Sequence, residues 1–246
     1  MDLFYIVKNV GHDLRLSLMS IRKFASNLGR VVIACKEQPP DVGVDVDWIN
    51  IDTTPFGTGY RSGFRNTMTV VPNAIEKSGL GEFLIMNDDF IAIRPVDLDK
   101  WPFYIGKPKL GKGYWRRMNR RTVDVLRDNG LPVYRTNFHM PGWCDAKNAA
   151  EARGIIEKWQ HNNATSDPIS IRSVLHALYI RDRPDTVITS IKRDPLFKNK
   201  RMQDMEESEV EAAVANMPSF IAFTRNLPAF KGLKSYLDRT VGIAEL

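Results

Sequence analysis

The stretch Glu82-Phe83-Leu84-Ile85-Met86-Asn87-Asp88-Asp89-Phe90 constrains this chain more than any other. Phe83 to Met86 is a continuous apolar run, as a strand covered on both faces requires. Three polar residues then arrive together. Two adjacent carboxylates at the end of a buried strand repel each other and resist desolvation. A divalent cation offsets that cost, and hard oxygen ligands suit magnesium or manganese. In an open α/β sheet the carboxyl ends of the strands are also where ligands bind. Asn-Asp-Asp is equally good turn chemistry, and a solvated turn leaving a strand needs no metal.

The flanking segments extend the pattern. Leu3 to Val7 reads as a first buried strand, followed by the loop Lys8-Asn9-Val10-Gly11. A cation, an amide and a glycine after a first strand suit a phosphate or a base, and also suit a plain turn. Asp13 is placed to cap a helix on which Leu14, Leu18, Ile21 and Phe24 recur at helical spacing as far as Asn27-Leu28-Gly29. Arg15 falls in its first turn. Val31 to Cys35 reads as a second buried strand, and the alternation from Val44 to Ile51 as a third, half-buried one. The glycine-rich, basic segment Gly57 to Asn66 leads into a helix carrying Met68, Val71 and Ile75, with Arg65 and Asn66 at its start. It is no Walker loop, and a flexible loop with a solvated arginine accounts for it as well. The order strand, helix, strand, strand, helix, strand opens a nucleotide-binding α/β sheet.

Beyond the acidic motif, Tyr104 to Gly113 is basic and loop-like, and a helix opens at Tyr114. Arg116, Arg117, Arg120 and Arg121 lie beside Tyr114 and Trp115. Arginine pairs with phosphates and aromatics stack on bases, so this run suits a polyanion such as DNA; a solvated helix face has the same composition. Val133 to Pro141 reads as a strand ending at His139. Ala146 to Gln160 reads as a helix, and Ile171, Val174-Leu175 and Leu178-Tyr179 as another, amphipathic one with Arg172 near its start. Thr186 to Ile191 reads as a late strand. The charged stretch Lys198 to Glu211 reads as exposed, and a closing strand at Phe220 to Arg225 precedes a C-terminal helix.

The 246 residues, 43% hydrophobic, suffice for one sizeable core. We read the chain as a single α/β domain with two halves, residues 1–100 and 101–246. No apolar run reaches the length of a membrane span, and Met1 to Val7 lacks the basic flank and cleavage site of a signal peptide. Two cysteines, Cys35 and Cys144, make neither a disulfide framework nor a metal cluster, so the expected compartment is a reducing cytoplasm. A net charge of +6 and a pI near 9.3 favour polyanionic partners only mildly.

The order of elements, with the Arg65-Asn66 helix and the acidic strand end, resembles GT-A glycosyltransferases. In these a Rossmann-like, mostly parallel sheet is flanked by helices and an acidic motif holds a metal on a nucleotide-sugar diphosphate. Several islands are similar to the Stealth family of sugar-phosphate transferases: Leu14-Arg15-Leu16-Ser17-Leu18-Met19-Ser20-Ile21, Val31-Val32-Ile33 with Gln38-Pro39-Pro40, the acidic stretch with Pro95-Val96, Phe138-His139-Met140-Pro141, and Ile171-Arg172-Ser173-Val174-Leu175. The family's opening segment, rich in Trp, Val, Asp and Gly, is replaced here by Ile6-Val7-Lys8-Asn9, and Met19 stands where the family has a second arginine.

The resemblance implies a metal-dependent transferase using a nucleotide sugar. Asp88 and Asp89 would hold Mn2+ or Mg2+, with Asn87 positioning them. Lys8, Asn9, Arg15, Arg65 and Asn66 would form the donor pocket. His139 would act as general base or acid, and Arg172 would stabilise phosphate charge. The departures fall at Stealth-specific places, which favours glycosyl transfer over transfer of a hexose 1-phosphate. The expected acceptor is macromolecular; modified DNA fits the arginine run, and a glycan or protein stays open. Two competing readings are a non-catalytic basic module that grips nucleic acid through Lys107 to Arg121, and a metal-dependent nuclease, which would need further clustered acids.

Overall fold

The computed structural model describes residues 1–57, 60–106, 113–134, 140–162, 168–186, 188–190, 196–197, 200–223 and 230–242; at 60–64, 161–162, 188, 190, 196 and 200–201 it describes the backbone alone. β1 (Asp2–Ile6) leads to α1 (His12–Phe24), the short β2 (Ala25–Ser26) and β3 (Val31–Cys35). β4 (Val46–Asn50), α2 (Tyr60–Ser78) and β5 (Glu82–Met86) follow. Past the acidic turn come β6 (Ile91–Ala92), β7 (Val96–Asp97), β8 (Phe103–Ile105), α3 (Gly113–Asp128), β9 (Gly142–Asp145), α4 (Asn148–Asn162) and α5 (Ile171–Asp182). Then come β10 (Ile188–Ser190), β11 (Leu196–Phe197), α6 (Lys200–Gln203), α7 (Glu207–Val214), β12 (Phe220–Phe223) and α8 (Lys231–Leu237), with a π-helical turn at Asp238–Gly242.

The fold is mixed α/β. Its central sheet has the strand order β4-β3-β1-β5-β9. The first four strands are parallel and β9 runs antiparallel to β5. From β1 the chain builds outward through β3 to β4, then crosses by α2 to place β5 on the other side of β1. The direction of growth therefore reverses between β1 and β5, where Tyr5 pairs with Met86. Strand order reversal of this kind opens a crevice at the carboxyl ends of the two strands.

Period-two alternation explains how a sheet this apolar is covered on both faces. Leu3, Tyr5, Ile33, Leu84 and Met86 pack with Leu14, Leu18 and Ile21 of α1. Phe4, Val32, Ala34, Phe83 and Ile85 pack with Met68, Val71 and Ile75 of α2 and Val174 and Leu178 of α5. A third cluster joins Leu16 on another side of α1 to Ile91, Phe223, Leu233 and Val241, so the C-terminal region closes over that helix.

Several sequence expectations need correction. The cap of α1 is Gly11, without a side-chain cap bond, and Asp13 lies inside the first turn. That helix stops at Phe24 because Ala25 and Ser26 leave it to pair with Val96 and Asp97. The strand expected over 133–141 is not formed at Val133-Tyr134; the strand lies at Gly142–Asp145, and residues 135–139 are outside the described ones. α5 is not amphipathic: every residue from Ile171 to Ile180 is buried, since the helix sits between β9 and its helical neighbours. The charged stretch after Lys198 holds α7, whose Val210 and Val214 enter the third cluster. Gly142 has a packing reason: a Cβ there would lie 2.4 Å from Cε1 and Nε2 of His176.

Candidate metal and donor site at the sheet switch point

The acidic residues occupy a tight turn at the carboxyl end of β5, closed by Phe90 N–H donating to the Asn87 carbonyl at 3.2 Å. Asn87, Asp88 and Asp89 are each partly buried and Phe90 is fully buried. The Asp88 carboxyl is pushed up from its ordinary value to about 7. Burial is the main cause; the charges of Asp89 and Asp13 add to it, and the amides of Asp88 and Asp89 act in the opposite direction. Burial also raises Asp13, with His12 working against the shift. Three carboxylates thus share one electrostatic neighbourhood, two from the turn and one from the first turn of α1. Asp13 escaped the sequence reading as a site residue because its position before an apolar helical repeat reads as a helix cap.

Two serines of α1 hold this turn from one side. Ser17 Oγ donates to the Phe90 carbonyl at 2.6 Å. Its single proton is used there, so Tyr5 O–H donates to Ser17 Oγ at 3.0 Å. Burial raises the Tyr5 hydroxyl well above its ordinary range, and Asp88 charge contributes. One turn on, Ser20 Oγ accepts from Ala92 N–H at 3.0 Å. The spacing of Ser17 and Ser20 in the Leu-Arg-x-Ser-Leu-x-Ser segment therefore serves to fix the chain on both sides of Phe90.

Arg172 holds the turn from the opposite sheet face. It is buried, its Nη2 donates to the Ile85 carbonyl at 3.2 Å and to the Met140 carbonyl, and its guanidinium lies 5.0 Å from the Phe90 ring centroid. Arg172 thus reaches the acidic turn through backbone and ring contacts, as a positioning residue.

The remaining expected residues divide clearly. Lys8 and Asn9 are exposed just beyond β1, on the same sheet edge as the acidic turn and beside the reversal point. Arg65 is exposed on the first turns of α2. Asn66 is buried: its Oδ1 accepts from Phe56 N–H and its Nδ2 donates to the Gly57 carbonyl, both at 2.9 Å. Each end of the amide thus makes one bond that staples the loop before α2. Arg15 points away from the acidic turn. It sits nearly opposite Asp13 around α1 and lines a separate cleft with Arg22, Lys23 and Val42. His139 lies outside the described residues. On α3, Met118, Thr122, Val125 and Leu126 are buried, which turns Arg116, Arg117 and Arg120 outward, with Arg121 partly covered.

No protein-family model matches this chain, and no curated protein sequence does.

The function therefore rests on what the site can do chemically. Among the described residues, no three His, Cys, Asp or Glu side chains converge as a ready metal cage. Two adjacent carboxylates suit a different arrangement, in which one or two protein carboxylates and the phosphate oxygens of a substrate share a magnesium-like ion. The donor set is hard oxygen, and the raised Asp88 carboxyl marks a place where positive charge is favourable. The residues present fit a divalent cation on those terms. The two thiols offer no alternative chemistry, because burial pushes Cys35 to about 11 and Cys144 to about 12. Among the described residues no helix is long and apolar enough to cross a membrane.

Proposed function

We propose that the protein is a divalent-metal-dependent glycosyltransferase of GT-A-like fold, moving a sugar from a nucleotide-sugar donor to a macromolecular acceptor. The observation that carries this reading is the placement of Asp88 and Asp89 at the switch point, next to the end of β1 and its Lys8-Asn9 loop. Asp88 and Asp89 would hold Mn2+ or Mg2+, which neutralises charge on the donor diphosphate. Asn87 closes the turn that sets their direction. Lys8, Asn9 and Arg65 border the same edge and supply charge and hydrogen bonds to the nucleotide. The general base remains His139, a neutral imidazole able to take a proton from an acceptor hydroxyl. The exposed arginines of α3 fit a polyanionic acceptor such as DNA. Buried, unreactive thiols agree with a reducing compartment.

A second reading, transfer of a hexose 1-phosphate in the Stealth manner, is favoured by one contact set. The two most specific islands of that resemblance meet in space, Ser17 bonding to Phe90 and Ser20 to Ala92. Product analysis separates the two: glycosyl transfer releases a nucleoside diphosphate, and sugar-phosphate transfer a nucleoside monophosphate.

The deciding experiment is a thermal-shift screen of nucleoside diphosphates and nucleotide sugars, with and without manganese. A bound donor raises the melting temperature in proportion to its excess over the dissociation constant. Stabilisation by one nucleoside diphosphate or its sugar, only with metal present, is expected. Absence of any shift in a well-folded sample would reject the donor site. Salt-sensitive DNA binding that survives loss of Asp88 and Asp89 would then establish the protein as a binding module.

A further inference from the structure

The side of α1 turned away from the acidic turn borders a cleft of about 770 Å³. Arg15, Arg22 and Lys23 line it from the helix, Asp41 and Val42 from the loop after β3, and Val241 from the π-helical turn. Among the described residues three cations thus face one carboxylate, and that carboxylate is already engaged, since Asp41 Oδ1 accepts from Gly43 N–H at 2.9 Å. Arg22 is pinned on the wall by donation from Nη1 to the Val42 carbonyl at 3.1 Å. Gly43 makes that contact possible. Its φ is +68°, and a Cβ there would lie 2.6 Å from Arg22 Nη1.

Arg15 supplies the decisive detail. Its Nε is covered from solvent and has no hydrogen-bond partner among the described residues. A covered N–H without an acceptor is unfavourable. The guanidinium fork matches two oxygens of one phosphate, so an anion in the cleft, met by a turn of the Arg15 side chain, would pair Nε and one Nη with two charge-assisted bonds. A single carbonyl acceptor would not call for Arg22 and Lys23 beside it. The volume is that of a small-molecule site, and Val42 and Val241 provide apolar wall for the rest of a ligand.

We propose that this cleft binds the phosphate group of a small soluble phosphate ester, at a site separate from the carboxylate edge. Arg15 grips two phosphate oxygens, while Arg22 and Lys23 balance the charge. The site does not depend on the glycosyltransferase reading, because it uses no residue of the acidic turn.

The test is calorimetric titration and thermal shift of the whole chain in chelator. The probes are inorganic phosphate and a hexose 6-phosphate, against potassium chloride at equal ionic strength. A saturable rise in melting temperature with both phosphates, and none with chloride, is expected. Arg15→Gln and Lys23→Ala should each weaken binding about tenfold, while the Asp88→Asn, Asp89→Asn double variant keeps it. Lys23 is exposed, so its variant reports even where Arg15→Gln folds poorly. Failure of either phosphate to saturate, unchanged affinity in Lys23→Ala, or loss of the effect in the double aspartate variant would overturn the assignment.

Discussion

Asp88 is held where both burial and like charge oppose its ionised form. Its carboxyl binds a proton up to about pH 7 in the folded chain and only to the ordinary carboxylate range when unfolded. Between those values the folded state carries the extra proton, so stability falls as pH rises; above about pH 7 the full cost is present. In metal-free protein, Asp88→Asn should therefore stabilise the fold by roughly 2–4 kcal/mol at pH 8 and by almost nothing below pH 4. Urea melts at both pH values read this directly, and equal melts at pH 8 would mean that the turn is simply solvated. Manganese with a nucleoside diphosphate should remove the variant's advantage. Asp89→Asn has a different signature. Metal-dependent turnover should drop roughly a hundredfold or more, with an unchanged circular dichroism melt, if Asp89 holds the proposed cation on developing phosphate charge.

At the scale of the element, α1 does three jobs with three sides. Leu14, Leu18 and Ile21 cover the sheet, Ser17 and Ser20 bond to the segment after the acidic turn, and Arg15 and Arg22 line the basic cleft. Ser17→Ala strips the partner from both Tyr5 and the Phe90 carbonyl in a dry interior. It should cost about 1–3 kcal/mol in a denaturant melt. It should also reduce turnover of the folded fraction, which a purely structural serine would not. Much of this was legible in the sequence. Apolar runs at Leu3, Val31 and Phe83 announced the central strands, and the polar break after Met86 announced the turn that ends β5, because both signals are local. Where Asn66 and Arg15 point was not legible, because helix rotation decides which way a side chain points, and spacing to the acidic turn does not show it. β9 lies after Pro141 because antiparallel pairing with β5 sets its position: Ile85 opposes Gly142. His176 drew no notice at all, since its role depends on a glycine 34 positions earlier in the chain. Gly142→Ala drives a methyl into that imidazole and should destabilise the fold by about 1–3 kcal/mol, with no change in metal response.

For the molecule as a whole, two charged features lie at the surface. The arginines of α3 face outward on one helix, and the acidic turn lies at the sheet's carboxyl edge. Replacing Arg116 and Arg120 with alanine should weaken binding to a polyanionic acceptor and flatten its salt dependence by about one unit for each phosphate that is no longer neutralised. The thermal response to donor and manganese should persist, and a filter-binding series in rising salt separates the two effects. The acidic turn, meanwhile, is gripped by segments far apart in the chain. Ser17 precedes its partner Phe90 by 73 residues, and Arg172 follows Ile85 by 87. During synthesis the first grip can form as soon as β5 leaves the ribosome, but the second waits for some eighty further residues. The turn is therefore fixed from both sheet faces only after α5 has been made, and a nascent chain exposes its two aspartates on a loop still secured from one side.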